Sequence, residues 1–335
     1  FQTHGPMIRS RRISIGLLAL GAVLFTAGLF SGPASLSLKE QWSALLSGDG
    51  VAGTILWDLR LPRLCMAVLA GSALGLAGLL MQTYFKNPLA GPSVLGVTSG
   101  STLGVALVSL GGMAIGTGLG VTGTVVGALL GAWAVMVLLG AVIGWFRSRS
   151  ALLIFGLMIG YLTGALVTIL QAGAEAGALQ AFVVWGMGSF GHADWAGDGI
   201  LALTLMAAGG WVFRHRDDLD MWLLGSLTAR SMGVNERGLT WGILTITGAL
   251  AALVTAWCGP VAFLGLATPH LVRILYRQHG AGQLLVPVML TGSVLALMAD
   301  WAVRFTAVPL NAVLSMVGAP VVLWLLMRRT HSPAR

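Results

Sequence analysis

The 335-residue chain is 56% hydrophobic and 9% charged, with a mean hydropathy of +0.88, and this excludes a water-soluble globule, since too much apolar surface would need solvation. Its net charge of +8 and pI near 10.7 do not indicate nucleic acid, because the basic residues fall between apolar runs and form no patch interleaved with aromatics. Two cysteines, Cys65 and Cys258, in separate apolar segments exclude a disulfide framework or a thiolate metal centre, whereas 48 glycines without a collagen period read as surface for close helix packing in a membrane.

A hydrocarbon core about 30 Å thick takes about 20 apolar residues at 1.5 Å rise to cross. Ten segments of this kind predict an all-α, polytopic membrane protein. Residues 1–6 precede Met7 and read as a vector-derived remnant, which leaves 7–335 as a single transmembrane domain. The first predicted span, 13–30, follows Arg9, Arg11 and Arg12 and shows no small-residue cleavage pattern, so it is expected to be a retained helix. Residues 31–58, with Lys39, Glu40 and Asp49, form a polar connection long enough for a short surface helix. Spans follow at 64–83, ending at Lys86; at 94–110, after a proline-rich turn; and at 121–145, between a GGMAIGTG reversal and Arg147 and Arg149.

The fifth span, 151–171, leads through small and polar residues to AFVVWGMGSF at 181–190, predicted as a short interfacial helix. The sixth covers 195–213. The longest hydrophilic interior stretch, 214–238, then separates two halves, 59–213 and 239–327. The last four spans are predicted at 239–258, 261–275, 285–303 and 308–327, with Gly259 and Pro260 breaking the boundary between the seventh and eighth.

Charge sets the orientation. With the N-terminus inside, Lys86 and the arginines at 9, 11, 12, 147, 149, 214, 216, 230, 237, 273, 277, 328, 329 and 335 all lie on the cytoplasmic side, which is 15 of the 19 basic residues. The positive-inside rule therefore puts both termini in the cytoplasm. Lys39, Arg60, Arg63 and Arg304 then lie outside. Arginines kept there either snorkel to lipid headgroups or meet a partner.

Four motifs carry a resemblance: LRLPR at 59–63, NPLAGPSVLGV at 87–97, GPVAFLGLATPHLVRIL at 259–275, and ADWAVRF at 299–305. Together they resemble FecCD-type permeases of iron-chelate and cobalamin uptake, the membrane subunits of binding-protein-dependent ABC importers, over nearly the whole chain from 59 to 327. The resemblance implies a BtuC-like type II importer fold with inverted repeats, a homodimer, two ATP-binding cassette subunits and a periplasmic or lipid-anchored binding protein. ATP and Mg would be bound by the cassette subunits, and no cofactor by this chain. Family structural motifs fall on Asn87, Pro88, Gly259, Pro260, Pro269, His270 and Arg273.

The same resemblance makes Arg60, Arg63 and Arg304 outward-facing contacts for the binding protein. It places two coupling helices in 214–238, with Leu223, Leu224, Gly225, Ala229, Met232, Gly233 and Val234 matching the motif that meets the ATPase; Thr228 and Arg230 depart where an acid often stands. The apolar and small residues of MWLLGSLTARSMGV, at helical spacing, independently argue against a flexible linker. The conduit implied between two copies would be lined by the fifth and tenth spans, with Met158, Tyr161, Thr163, Asn311 and Ser315 as candidates.

His270 beside Pro269 reads as structural rather than as a ligand, and the histidines at 4, 192, 215, 279 and 331 have no metal spacing with it, so no metal site is expected. Neither Lys39 nor Lys86 lies in a phosphate-binding loop, so no ATPase site of the chain's own is expected. Asp300 and Glu175 are the acids expected near a span, and the i, i+4 spacing of Asp300 and Arg304 predicts an ion pair. The expected cargo is an iron chelate, ferric siderophore or haem, crossing a bacterial inner membrane. Cobalamin is the alternative, and an ion-driven secondary transporter or a membrane scaffold are the competing classes.

Overall fold

The computed structural model describes residues 4–32, 36–111, 120–142, 144–145, 149–276, 280–306 and 308–330. The GGMAIGTG reversal after Gly111, together with Arg147, Arg277, His279, His331 and Arg335, lies outside them. The described residues are helical almost throughout and contain no strand. In order they form α1 (His4–Phe30), α2 (Leu38–Ser47) and α3 (Gly50–Thr54), which runs through a π-helical turn (Ile55–Arg60) into α4 (Leu61–Phe85). Next come α5 (Val97–Ser109), α6 (Gly120–Val142), α7 (Arg149–Ala172), α8 (Ala176–Gly186) and α9 (Trp195–Arg214). The chain continues with α10 (Arg216–Leu224), α11 (Ser226–Ser231), α12 (Glu236–Cys258), α13 (Leu264–Tyr276), α14 (Ala281–Thr306) and α15 (Leu310–Thr330).

Each of the ten predicted spans falls on a helix: α1, α4, α5, α6, α7, α9, α12, α13, α14 and α15. By length and composition seven of the described helices can cross a membrane. Helices α5 and α13 are shorter than predicted, with 13 residues each, or about 20 Å against a core of about 30 Å. Both are shortened by irregular turns, 86–96 and 259–263, whose prolines Pro88, Pro92 and Pro260 interrupt the helix. Such backbone is tolerated at membrane depth where protein covers it, and Ala90 and Leu95 are buried.

Helix α4 is the central element, buried at every residue from Ala70 to Phe85. It packs against α14, α13, α12 and α9. The contacts of α4 to α7 are mirrored by those of α12 to α15: α4 meets α13 and α14 while α12 meets α5 and α6, and α5 meets α6 and α7 while α13 meets α14 and α15. Lys86 (φ 50°) and Gly259 (φ 72°) directly follow α4 and α12, and Gly96 (φ 77°) and Phe263 (φ 62°) directly precede α5 and α13. Non-glycine residues are uncommon in this region of backbone space. This correspondence is the arrangement inverted repeats produce.

Outside the spans, α2 is the predicted surface helix. Ser37 N and Oγ each donate to Glu40 Oε2 at 2.8 Å, and Glu40 N donates back to Ser37 Oγ at 3.3 Å. These bonds form a capping box and hold the Glu40 carboxyl below its ordinary range. Leu38, Trp42 and Leu46, spaced one turn apart, leave an apolar stripe exposed, as on a helix lying in the bilayer interface.

Glycines set the helix contacts. On α4, a Cβ at Gly78 would overlap the carbonyl oxygen of Gly265 in α13, and one at Gly71 that of Gly292 in α14. Gly100 and Gly104 of α5 face Gly131 and Gly127 of α6 in the same way, two small-xxx-small pairs running antiparallel. Gly78→Ala should therefore lower thermal stability by an amount at the upper end of the roughly 1–3 kcal/mol of overpacking. Gly210→Ala in α9, where a Cβ meets nothing within 4 Å, should leave the melting temperature in detergent unchanged or slightly higher.

Candidate functional site

One end of the bundle carries a cluster of charge. Arg63 Nε donates to Asp300 Oδ1 at 2.7 Å, and Arg304 Nε donates to Asp300 Oδ2 at 2.8 Å, so one carboxylate clasps α4 to its own helix turn. The i, i+4 pair predicted from spacing is present. Arg304 Nη1 also donates to the carbonyls of Gly28 and Ser31, and Arg60 Nη1 donates to the carbonyl of Leu29 at 2.8 Å. These carbonyls belong to the last turn of α1 and the residue beyond it, where a helix lacks internal donors and favours cations.

The three arginines are thus brought together, but not all face outward. The Arg304 side chain is 4% exposed and that of Asp300 2%, and Arg60 is buried as well. Only Arg63 keeps a quarter of its side chain accessible. The expectation of three outward-facing docking arginines is corrected for Arg60 and Arg304, whose side chains are buried and turned toward the end of α1 and, for Arg304, toward Asp300.

The opposite end carries α10 and α11, two short helices separated by Gly225 at φ 138°. Leu219 and Trp222 bury one face of α10 completely. Trp222 stacks on Tyr84 at 5.8 Å and its Nε1 donates to the Tyr84 carbonyl at 3.2 Å. Lys86 Nζ donates to the Leu223 carbonyl at 3.1 Å. Asp220 Oδ1 accepts from the backbone N–H of Ala281 at 2.5 Å, which caps the start of α14. Arg230 pairs with Glu236 at the start of α12.

Of the predicted coupling residues, Leu223, Leu224 and Met232 are exposed, whereas Ala229 and Val234 are buried supports. Gly233 (φ 88°) ends α11 in a conformation that favours glycine. Leu227, 79% exposed and the most exposed apolar residue of this segment, is absent from the predicted set. Its position one turn after Leu223 and two residues past Gly225 was the available signal.

Between the ends, the motif residues lock one another. His270 Nε2 lies 2.7 Å from the Pro88 carbonyl and donates to it, which ties α13 to the turn before α5. Arg273 Nη1 donates to Gln82 Oε1 at 2.5 Å, and Gln82 Nε2 donates to the Leu266 carbonyl at 3.1 Å. Asn87 Oδ1 accepts from Leu89 N at 2.9 Å and shapes the turn. Gly259 (φ 72°) and Pro260 form the matching turn before α13.

The predicted pathway residues divide. Met158 and Tyr161 lie on an exposed stripe of α7, and Ser315 is half-buried on α15. Thr163 is buried and its hydroxyl donates to the Ile159 carbonyl at 2.8 Å, so it faces away from the stripe. Asn311 has no free polar atom for a passing ligand: its Oδ1 accepts from Ala262 N at 3.0 Å, and its Nδ2 donates to the carbonyls of Pro260 at 2.6 Å and Gly186 at 3.3 Å. The structure corrects both, since their polar groups hold backbone.

Asp198 also corrects the expectation that Asp300 and Glu175 are the acids near a span. It lies in α9, is 4% exposed, and neither carboxylate oxygen has a hydrogen-bond partner among the described residues. Asp194, one turn earlier, caps the helix by accepting from Gly197 N at 2.7 Å and Trp257 Nε1 at 3.0 Å.

Helices of bilayer length with a charge clasp at one end and paired surface helices at the other define a multi-pass membrane protein. The sequence pattern of the FecCD transport family matches residues 19–328, and the chain belongs to that family. It is 31% identical over 333 residues to the hemin transport system permease protein HmuU of Yersinia pestis, covering 95% of this chain and 96% of that protein. It is 33% identical over 331 residues to the vitamin B12 import system permease protein BtuC of Salmonella typhi, covering 96% and 97%. A solved structure assigned to the metal-chelate type of ABC transporter, in an inward-facing conformation, superposes with a TM-score of 0.81 at 27% identity, covering 95% of this chain and 99% of that one.

Asp300→Asn should cost about 3–5 kcal/mol, because it leaves the buried Arg304 without its counter-ion. Arg63→Gln should cost about 1 kcal/mol or less, since its side chain is partly solvated and Asp300 keeps Arg304. Thermal denaturation of the two variants checks the order. Asp198→Asn should raise the melting temperature by relieving an unpaired buried carboxylate.

Proposed function

We propose that this chain is the membrane-spanning subunit of a binding-protein-dependent importer that carries an iron chelate, ferric siderophore or haem, across the bacterial inner membrane. In this reading the subunit works as a homodimer with two ATP-binding cassette subunits, which bind ATP and Mg, and it has no ATPase site of its own. Both termini are cytoplasmic. The observation that carries the reading is the continuity of α4 and α14. At one end they hold the Arg63–Asp300–Arg304 clasp, and at the other they seat α10 through Tyr84, Lys86 and Ala281.

Arg63, the clasp residue with accessible surface, meets a carboxylate of the binding protein, and the long-range attraction speeds encounter. Leu223, Leu224, Leu227 and Met232 form the apolar knob that enters the ATPase subunit. The exposed stripe of α7 and the facing part of α15, with Met158, Tyr161 and Ser315, lines the conduit between copies. ATP binding and hydrolysis move the knob and alternate access across the dimer. A corrinoid is the second cargo reading, favoured by the identity of 33% to a vitamin B12 permease.

Proteoliposomes holding this subunit and its ATPase, with binding protein outside and ATP inside, test the proposal when offered ferric siderophores, haem and cobalamin in turn. ATP-dependent accumulation of an iron chelate is expected, and uptake driven by an imposed ion gradient without ATP would overturn it. Leu227→Glu should abolish co-purification of the ATPase subunit while leaving the permease folded. Arg63→Glu should weaken binding-protein docking at low salt about tenfold, and unchanged affinity would remove Arg63 from the interface.

A further inference from the structure

A cavity of about 400 Å³ lies over α8, lined by Gly177, Gln180, Ala181, Val184, Trp185 and His192. Its size is within the range of small-molecule sites, about 300–1,000 Å³. Residues 177, 180, 181 and 184 share one face of α8 at helical spacing, and all four are exposed. The first and third are small, and a Cβ at Gly177 would meet nothing within 4 Å. The result is a flat, open shelf.

Trp185 closes the floor. It is 9% exposed, packs on Phe182 at 6.0 Å between ring centroids, and its carbonyl accepts from Gly188 N at 3.1 Å. Its Nε1 is buried with no hydrogen-bond partner among the described residues. A buried donor left unpaired costs about 1–3 kcal/mol, which an acceptor brought by a ligand would recover. His192 stands exposed at the rim and makes no hydrogen bond among the described residues. Imidazole is the commonest side-chain ligand of transition metals.

We propose that this shelf is a receiving site for a planar metal macrocycle with an open axial coordination position, its face against α8 and its metal ligated by His192. The proposal rests on the iron-chelate reading and narrows it. A ferric siderophore that fills all six positions of its iron leaves none for an imidazole, whereas a metalloporphyrin offers an axial site and a flat apolar face. The shelf also lies beside the charge clasp: Arg63 Nη1 is 3.7 Å from where a Cβ of Gly191 would stand, next in sequence to His192. A macrocycle with anionic edge groups would find its counter-charge there.

The full chain in lipid nanodiscs, titrated with ferric protoporphyrin IX, tests this by the Soret band. A saturable spectrum of histidine-ligated ferric iron, distinct from that of empty nanodiscs, is expected for the wild type. His192→Ala should lose that spectrum and bind about tenfold more weakly, and His192→Cys should shift it to the thiolate-ligated form, which a residue acting only through structure would not do. Metal-free protoporphyrin IX should bind wild type and His192→Ala alike, through the shelf alone. An unchanged spectrum in His192→Ala, or a wild-type spectrum equal to that of empty nanodiscs, overturns the site. ATP hydrolysis stimulated by the binding protein, measured in parallel on the wild-type complex, separates the two readings: stimulation without a histidine-ligated spectrum removes this site and leaves the importer standing.

Discussion

Gly71 of α4 and Gly292 of α14 meet with no side chain between them, and Gly78 meets Gly265 of α13 likewise. In lipid there is no hydrophobic drive to push helices together, so association depends on contacts of this closeness and on hydrogen bonds across the seam. Ser72 Oγ and Ser293 Oγ lie 2.7 Å apart along the same seam, and Ser293 Oγ also donates to the Val68 carbonyl at 3.0 Å. The seam therefore combines small-residue packing with satisfied polar groups. Both the charge clasp and the seat of α10 are attached to it.

At one end the seam closes on Asp300, whose two oxygens take Arg63 and Arg304. Burying three charges is unfavourable unless donors and acceptors are matched. Here the carbonyls at the end of α1 accept from Arg60 Nη1 and Arg304 Nη1, and Asp300 holds Arg304 Nη2 as an ion pair. At the other end the Tyr84 carbonyl, Lys86 and the first N–H of α14, that of Ala281, receive α10. A displacement of α10 thus acts on both strands of the seam at once. The remaining long helices, α7 above all, expose their apolar faces and are free to meet lipid or a second copy.

The helical spans were legible because an unbroken apolar run of bilayer length is rare in any chain that does not cross a membrane. The turns before α5 and α13 were legible from their prolines, but their full extent was not, since residues 94–96 and 261–263 are apolar or small and read as the first turns of the spans. The Asp300–Arg304 pair was legible from spacing. The burial of Arg60 and Arg304 was not, because it depends on where α1 ends in space, 31 and 276 residues away along the chain from Leu29 and Gly28 respectively. Asn311 and Thr163 carried the signature of pathway residues, polar groups in apolar helices, yet their polar atoms serve backbone carbonyls and an N–H. Asp198 was masked by Asp194, which makes the pair read as ordinary acids at a helix start.

The central claim is that α4 and α14 move as one body between the two functional ends. Spin labels at Leu59→Cys and Phe305→Cys mark one end, and at Leu89→Cys and Val286→Cys the other, in a background lacking Cys65 and Cys258; all four labelled positions are exposed. Pulsed electron–electron distance measurements on the assembled transporter, nucleotide-free and ATP-trapped, would compare each pair. The account predicts that both distances stay the same in the two states while a Tyr161→Cys pair on separate copies shifts. A change between α4 and α14 at either end, with the α7 pair unmoved, would contradict it.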